Sequence, residues 1–329
     1  MRPRSAVPFV VTAALLYSLA AHAGAWILAP GERYSEIRTG LFSSDSYYDV
    51  DGARHPLVGG GLYEQRSLLA YTELGWKKHA SFILGLPAVS VTRRNGDASF
   101  NQTQSGFGDM QAGFRIALKQ GATALALQLE WIGPTGYRRT YAPIDSLRRR
   151  HAVDGSLVSP DVTDIAEQAP TLGSGRQSGV ARLQFGTHFG TRAFLELEGG
   201  YRRYDTQYAP QIVTAADVGI WLAPSLMIGG RYRGATAIGN SKVARLGAAG
   251  SGGTAKGGVA DTEGDRITEY VSGPVLLYRL DDHMDVMAGS FHTASAKNAL
   301  HVDQVYVALA VKKIGLNRLQ GFLGNKRLP

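Results

Sequence analysis

The sequence predicts an all-β protein, a transmembrane antiparallel up-and-down β-barrel of about twelve strands. Three observations carry that expectation. Segments of alternating apolar and polar residues recur along the chain, the connections between them are alternately short and long, and the number of segments is even. A single-chain outer-membrane barrel requires all three, with tight turns on the periplasmic side and longer loops outside. Alternation alone leaves the sign of the faces open, because a soluble barrel turns its apolar side inward. The parity of the connections, the even count and an N-terminal leader decide for the membrane.

That leader comes first. Arg2 and Arg4 give a positive start, Val7 to Leu19 an apolar run, and Ala21-His22-Ala23 a small-x-small cleavage sequence, so residues 1–23 read as a signal peptide cut before Gly24. The apolar run contains Pro8 and is too short to span a bilayer comfortably, and no later segment approaches the ~20 apolar residues of a transmembrane helix. The chain has no cysteine, which removes disulfides and a lipid-modified N-terminal Cys. Its 41 glycines and 15 tyrosines suit strand kinks and membrane–water interfaces. Residues 24–314 are thus expected to form one outer-membrane barrel, followed by a basic tail over 315–329.

The predicted strands are Arg33–Phe42, Leu62–Gly75, Ala80–Thr92, Gly106–Lys119, Ala122–Pro134, Gln177–Thr187, Arg192–Tyr204, Ile212–Leu222, Ser225–Ala237, Ile267–Leu280, Met284–Ser295 and Gln304–Ile314. The even-numbered connections are short: Trp76–His79, Gln120-Gly121, His188–Thr191, Ala223-Pro224 and Asp281–His283. The odd-numbered ones include long inserts at Thr135–Arg176 and Ile238–Arg266. The faces sort within each strand. Met110, Phe114 and Ile116 alternate with Asp109, Gln111 and Arg115; Leu125, Leu127, Leu129 and Trp131 with Ala126, Gln128 and Glu130. Ala193, Leu195, Leu197 and Tyr201 oppose Glu196, Glu198 and Arg202, and the last strand sends Val305, Val307, Leu309 and Val311 outward. An Arg or Lys facing lipid at mid-membrane costs about 2–4 kcal/mol, so the charged sides belong in the lumen. Pro87 and Pro274 fall inside strands and are expected to mark bulges or irregular ends.

The stretches SSDSYYDVDGARHP (Ser43–Pro56), YEQRSLLAYTELGWKKHASFILGLP (Tyr63–Pro87) and SGFGDMQAGF (Ser105–Phe114) resemble the outer-membrane barrels labelled as "MetA-pathway of phenol degradation" transporter-like proteins. WIGPTGY (Trp131–Tyr137), PTLGSGRQSGVARLQFG (Pro170–Gly186) and LELEGGYRRY (Leu195–Tyr204) continue in the family order, so the resemblance spans most of the mature chain. It implies passage of small organic molecules across a Gram-negative outer membrane. The chain departs from the pattern by ending in the basic segment Gly315–Pro329 rather than in a strand with a terminal aromatic, the usual signal to the barrel-assembly machinery that is its expected partner in biogenesis.

Lumenal charges nearly balance. Glu36, Glu73, Asp109, Glu130, Glu196, Glu198, Asp217, Glu269 and Asp285 face Arg38, Arg115, Arg182, Arg202, Arg231, Arg233, Arg279 and Lys312. Such charges either cross-link the wall as hydrogen-bonded ion pairs or select among solutes. For selectivity the candidates are Arg115, Arg182, Glu196, Glu198, Arg202, Asp217, Arg231 and Arg233. The expected partners of Arg202, Arg231 and Arg233 are Glu196, Glu198 and Asp217. Phe42, Tyr71, Trp221, Phe291 and Tyr306 share the lumenal parity and offer either apolar steps for a solute or packing that closes the interior. Much of the net charge of +8 lies in loops and termini, with Arg138, Arg139, Arg148, Arg149 and Arg150 in the third external loop. There they would meet lipopolysaccharide phosphates or steer anionic solutes.

Other chemistry finds little support. Asp45, Asp49 and Asp51 offer clustered oxygens for Ca²⁺, but Asp51-Gly52 is foremost a turn dipeptide. No HExxH, GxSxG or Cys/His metal spacing occurs, and His292 is the only histidine within a predicted strand, so no enzyme, metal or cofactor is expected. The basic residues form no platform interleaved with aromatics, which argues against nucleic acid. The expected function is an outer-membrane channel or facilitator for small hydrophobic or aromatic molecules. The segment before Arg33 is too short for a plug domain, which favours that reading. The alternative is a non-conducting structural barrel whose external loops bind lipopolysaccharide or a partner.

Overall fold

A computed structural model describes residues 24–49, 51–57, 60–94, 101–136, 172–173, 176–205, 209–238, 267–297 and 299–313. Alternation makes the wall. In β1 (Arg33–Ser44) buried and exposed positions alternate almost without exception, with Ile37 and Leu41 more than half exposed and Glu36 and Arg38 buried. The same inversion holds in β4 (Leu62–Lys77), β5 (Ala80–Arg94), β7 (Asp109–Lys119), β8 (Thr123–Pro134), β9 (Ser178–Phe189), β10 (Ala193–Tyr204), β11 (Gln211–Ala223), β12 (Leu226–Ala237), β13 (Thr268–Arg279), β14 (Met284–Lys297) and β16 (Asp303–Lys313). Ile37, Leu41, Leu129, Leu183 and Val307 face out; Glu36, Arg115, Gln128 and Arg182 face in. Only a lipid surround makes that arrangement favourable.

Neighbouring strands are antiparallel throughout, and the ladder closes where Arg33 of β1 pairs with Lys313 of β16. The ladder has 13 strands, but β6 (Asn101–Phe107) and β7 both pair with β5, above and below Pro87, and so occupy one position in the wall. The barrel is therefore twelve-stranded and, among the described residues, contains no α-helix. The turns after β4, β7, β9, β11 and β13 are two to four residues long, and the odd connections are the long ones. Among the described residues no helix is long and apolar enough to cross a membrane.

Several sequence expectations need correction. Trp76 and Lys77 continue β4, and His188 and Phe189 continue β9, which leaves tighter turns than predicted. The fourth predicted strand is two strands: Gly108 interrupts it, and its N–H bonds the Pro87 carbonyl at 2.9 Å. Proline cannot donate to a ladder, so Pro274 likewise sits in a gap of the β13–β14 pairing, between Ser272 and Val275. Three short strands went unpredicted. β2 (Ser46–Tyr48), β3 (Arg54–Pro56) and β15 (Ala299–Leu300) form a separate small sheet on the external side. The predicted leader, the basic tail and most of both long inserts lie outside the described residues.

Candidate functional site: the barrel lumen

The lumen is organised in levels. At the periplasmic mouth the chain enters as a strap. Gly24 and Ala25 are buried; the Gln120 side-chain amide donates to the Ala25 carbonyl at 3.0 Å, and Trp26 Nε1 donates to the Gly121 carbonyl at 2.8 Å. The Trp26 ring lies 4.2 Å from that of His188 and fills the space beside Gly186 that any larger residue would need. Leu28 packs into a cluster of Tyr34, Leu69, Tyr71, Ile83, Met227, Leu277 and Met287, and Gly31 bonds Gly75. Residues 24–31 thus run from the β7–β10 turns to β4. Although too short to be a domain, this segment occupies the mouth that the sequence reading left open.

Above the strap, ion pairs and glutamines are continuous across five strands. Arg115 Nη1 donates to Glu73 Oε2 at 2.7 Å, and its Nη2 to Gln128 Oε1 at 2.9 Å. Gln128 donates to Glu130 at 3.3 Å, Glu130 pairs with Arg182, and the Gln184 amide serves Gln128 at 3.0 Å and Glu198 at 3.1 Å. Glu73 and Arg115 are both 0 % exposed. A charge so enclosed is tolerable only when paired and hydrogen-bonded. On β1, Arg38 Nε reaches Glu36 Oε1 at 2.7 Å, and Tyr34 donates to the other carboxylate oxygen at 2.7 Å.

On the far wall Arg233 holds both oxygens of Asp217, at 2.5 and 2.8 Å, while Arg231 donates to the Tyr306 hydroxyl at 3.0 Å. The Arg38 and Arg231 guanidinium carbons lie 5.2 and 5.8 Å from the Tyr306 ring centre, and Phe291 stacks on the same ring at 5.7 Å. Here solvent reaches the wall: Asp217 and Arg233 keep 12 % and 13 % of their side-chain surface, and Glu196 and Glu198 are also partly exposed.

The expected partners of the arginine cluster need revision. Asp217 serves Arg233 and, at 3.9 Å, Arg231. Glu198 is taken by Gln184, and the buried Nε of Arg202 has no hydrogen-bond partner. Of the aromatics, Phe42, Tyr71, Phe291 and Tyr306 are buried within the barrel, and Trp221 lies near the periplasmic end with the Arg279 guanidinium 4.5 Å above its ring. Arg138, Arg139, Arg148, Arg149 and Arg150 lie outside the described residues.

Externally the lumen is roofed by loop side chains. Leu57, Leu300 and Val302 join Phe42, Val271, Phe291 and Tyr306, while Leu172 packs on Val89 and Val91. The small sheet holds this roof through its own pairs. Asp49 accepts from the Asp51 and Ala53 N–H groups at 3.0 and 2.8 Å and contacts His55 Nε2 at 2.8 Å, and the His55 bond holds its carboxyl below the usual range. Gly52, at φ +85°, makes the turn possible. This aspartate is committed to the turn. Burial holds the His301 imidazole below its usual range, with Tyr48 3.2 Å from its Nδ1. Sequence reasoning missed the strap, the glutamine connectors and the roof. Gly75 and Gly186, at strand ends that a strap crosses, were the one available signal.

Fold and lumen together define a transmembrane β-barrel of the outer-membrane type. The chain is similar in fold to a COG4313 outer membrane channel from Pseudomonas putida F1, with a TM-score of 0.63 and 12 % identity over 89 % of this chain and 99 % of that one. Weaker likeness extends to the KdgM porin (TM-score 0.43, 6 % identity, 85 % and 99 % covered) and the CymD monoaromatic hydrocarbon channel (0.40, 8 %, 87 % and 89 %). No family model and no curated protein sequence matches the chain.

Proposed function

We propose that the chain resides in the outer membrane as a channel or facilitator for passive passage of small molecules, hydrophobic and aromatic ones among them. The observation that carries this reading is the partly solvated side of a closed barrel: Glu196, Glu198, Asp217 and Arg233 line it, and Trp221 and Tyr306 adjoin it. Charged groups bordering aromatic faces orient an amphipathic solute without binding it tightly, as a facilitator must. The COG4313 barrel is described as an outer membrane channel, which supports the same reading. Reconstitution into planar bilayers tests it: discrete conductance steps altered by aromatic acids are expected, and protein recovered only from the periplasm would overturn it.

A second reading has its own support, the roof of Leu57, Leu300 and Val302 with its small sheet. A barrel closed from outside would serve as a surface platform, with the arginines of the long loop meeting lipopolysaccharide phosphates. Absence of conductance from correctly assembled barrels that bind lipopolysaccharide would favour it.

A further inference from the structure

At the periplasmic mouth one carboxylate, Glu196, has no salt-bridge partner among the described residues. Three lumenal acids stand together on β10 and β11, with Glu196 paired in register to Asp217 and Glu198 two residues along. Arg233 neutralises Asp217, and Gln184 donates to Glu198. Glu196 has neither a salt bridge nor a hydrogen bond among the described residues, although Arg115 and Arg231 lie within electrostatic range alongside its two acidic neighbours. Gly24 lies against it. A Cβ on Gly24 would overlap the Glu196 carboxylate where it stands, so the glycine backbone lies directly against that carboxylate and a larger residue would push it aside. The same glycine directly follows Ala21-His22-Ala23, the predicted cleavage sequence.

We propose that Glu196 is a binding site for an α-ammonium, filled by the chain's own Gly24 when a leader is removed after Ala23, so that export processing fastens the strap across the periplasmic mouth. Cleavage is hydrolysis by a signal peptidase. Water adds across the Ala23–Gly24 peptide bond, its oxygen ending in the Ala23 carboxylate, and the Gly24 nitrogen becomes an ammonium. The new cation then sits beside a carboxylate that has no salt bridge or hydrogen bond among the described residues, with three N–H donors to offer it. The strap is already held further on by Trp26, by the Gln120 amide and by the Gly31–Gly75 contact. The ion pair closes its one free end. This inference is independent of what, if anything, the barrel conducts.

The test uses full-length protein purified from outer membranes. Intact mass should place the first residue at Gly24; a start elsewhere overturns the proposal. Next, the α-amine is acylated over a pH series in folded and in boiled protein, and the N-terminal peptide is quantified by mass spectrometry. An ordinary α-amine titrates near pH 7.7–8.0. Burial without a partner would lower the half-labelling pH, whereas an ion pair with Glu196 raises it. The expected result is a midpoint about one unit above that range in the folded barrel. In a heat-modifiable Glu196→Gln barrel it should return to the range or below it. A wild-type midpoint at or below the ordinary range overturns the proposal whether or not the variant assembles, and so does a raised midpoint that Glu196→Gln leaves in place.

Discussion

Around β4, β7, β8 and β9 the lumenal charges are sealed and matched, Glu73 with Arg115 and Glu130 with Arg182, at 0–6 % exposure. Across the lumen, on β10 to β12, Asp217 and Arg233 keep roughly an eighth of their surface and Glu196 has no side-chain partner among the described residues. One sequence pattern, alternating charged residues on the inward face, thus makes two different walls. Burial separates them. A fully enclosed charge must be paired or the barrel does not close over it, whereas a charge in contact with solvent tolerates incomplete pairing and stays available to a solute.

The largest effect should come from the sealed wall. Arg115→Met removes the cation from Glu73 and strands a carboxylate that water does not reach. Breaking a buried pair in this way costs about 3–5 kcal/mol. The folded band on unboiled gels should disappear at a clearly lower temperature than in wild type. Arg233→Met should cost much less, because Asp217 retains solvent and the nearby Arg231. Equal losses in the two variants would erase the distinction between the walls.

Selectivity should show the reverse order. Arg231→Ala combined with Arg233→Ala leaves Asp217, Glu196 and Glu198 as the charges of the wetted side. The reversal potential across a salt gradient should shift toward cations by several-fold in permeability ratio, with heat-modifiability intact. Unchanged selectivity accompanied by loss of heat resistance would make both arginines structural.

The barrel was legible in the sequence because lipid enforces a strict alternation and the membrane sorts the connections. Both signals are local or nearly so. Lumenal partners were not legible, because they depend on which strands face each other across the interior. Arg202, Arg231 and Arg233 lie near three acids in the chain, yet among the described residues only Asp217 forms a salt bridge with them, and Arg231 donates its hydrogen bond to Tyr306, 75 residues away in sequence. Nor could alternation reveal that Gln128 and Gln184 join separate ion pairs into one network. The strap left its trace only in glycines whose missing side chains make room for Trp26 and Ala29. The roof is built from loop segments with no periodicity to read.

Trp26→Ala examines the mouth between the two walls. Without the indole, the hydrogen bond to Gly121 and the packing on Gly186 and His188 are lost. The wall networks are untouched, so the barrel should assemble normally. Its unit conductance should rise, because the strap is then fastened at fewer points. A conductance equal to that of wild type would show that the strap does not limit the passage.

The smallest effect belongs to the roof, where among the described residues no charge is as deeply enclosed as Glu73. Burial, helped by the Arg54 charge, holds His301 below its ordinary range against the opposing pull of Asp303 and Asp45. A base whose folded value is depressed takes up its proton later than the unfolded segment does. Roof stability is therefore complete above the ordinary histidine range near pH 6.5 and falls as the pH drops through it. Asp49, held down by His55, contributes in the same direction but only at lower pH, below the ordinary aspartate range. Between pH 7.5 and 5.5 the amides of Tyr47, Tyr48 and Leu300 should lose hydrogen-exchange protection, by less than about tenfold after correction for the intrinsic rate. Those of β8 and β9 should not change. His301→Phe removes the titrating group and should flatten the difference; roof protection that rises on acidification would mean that the Asp303 contact, rather than burial, governs this histidine.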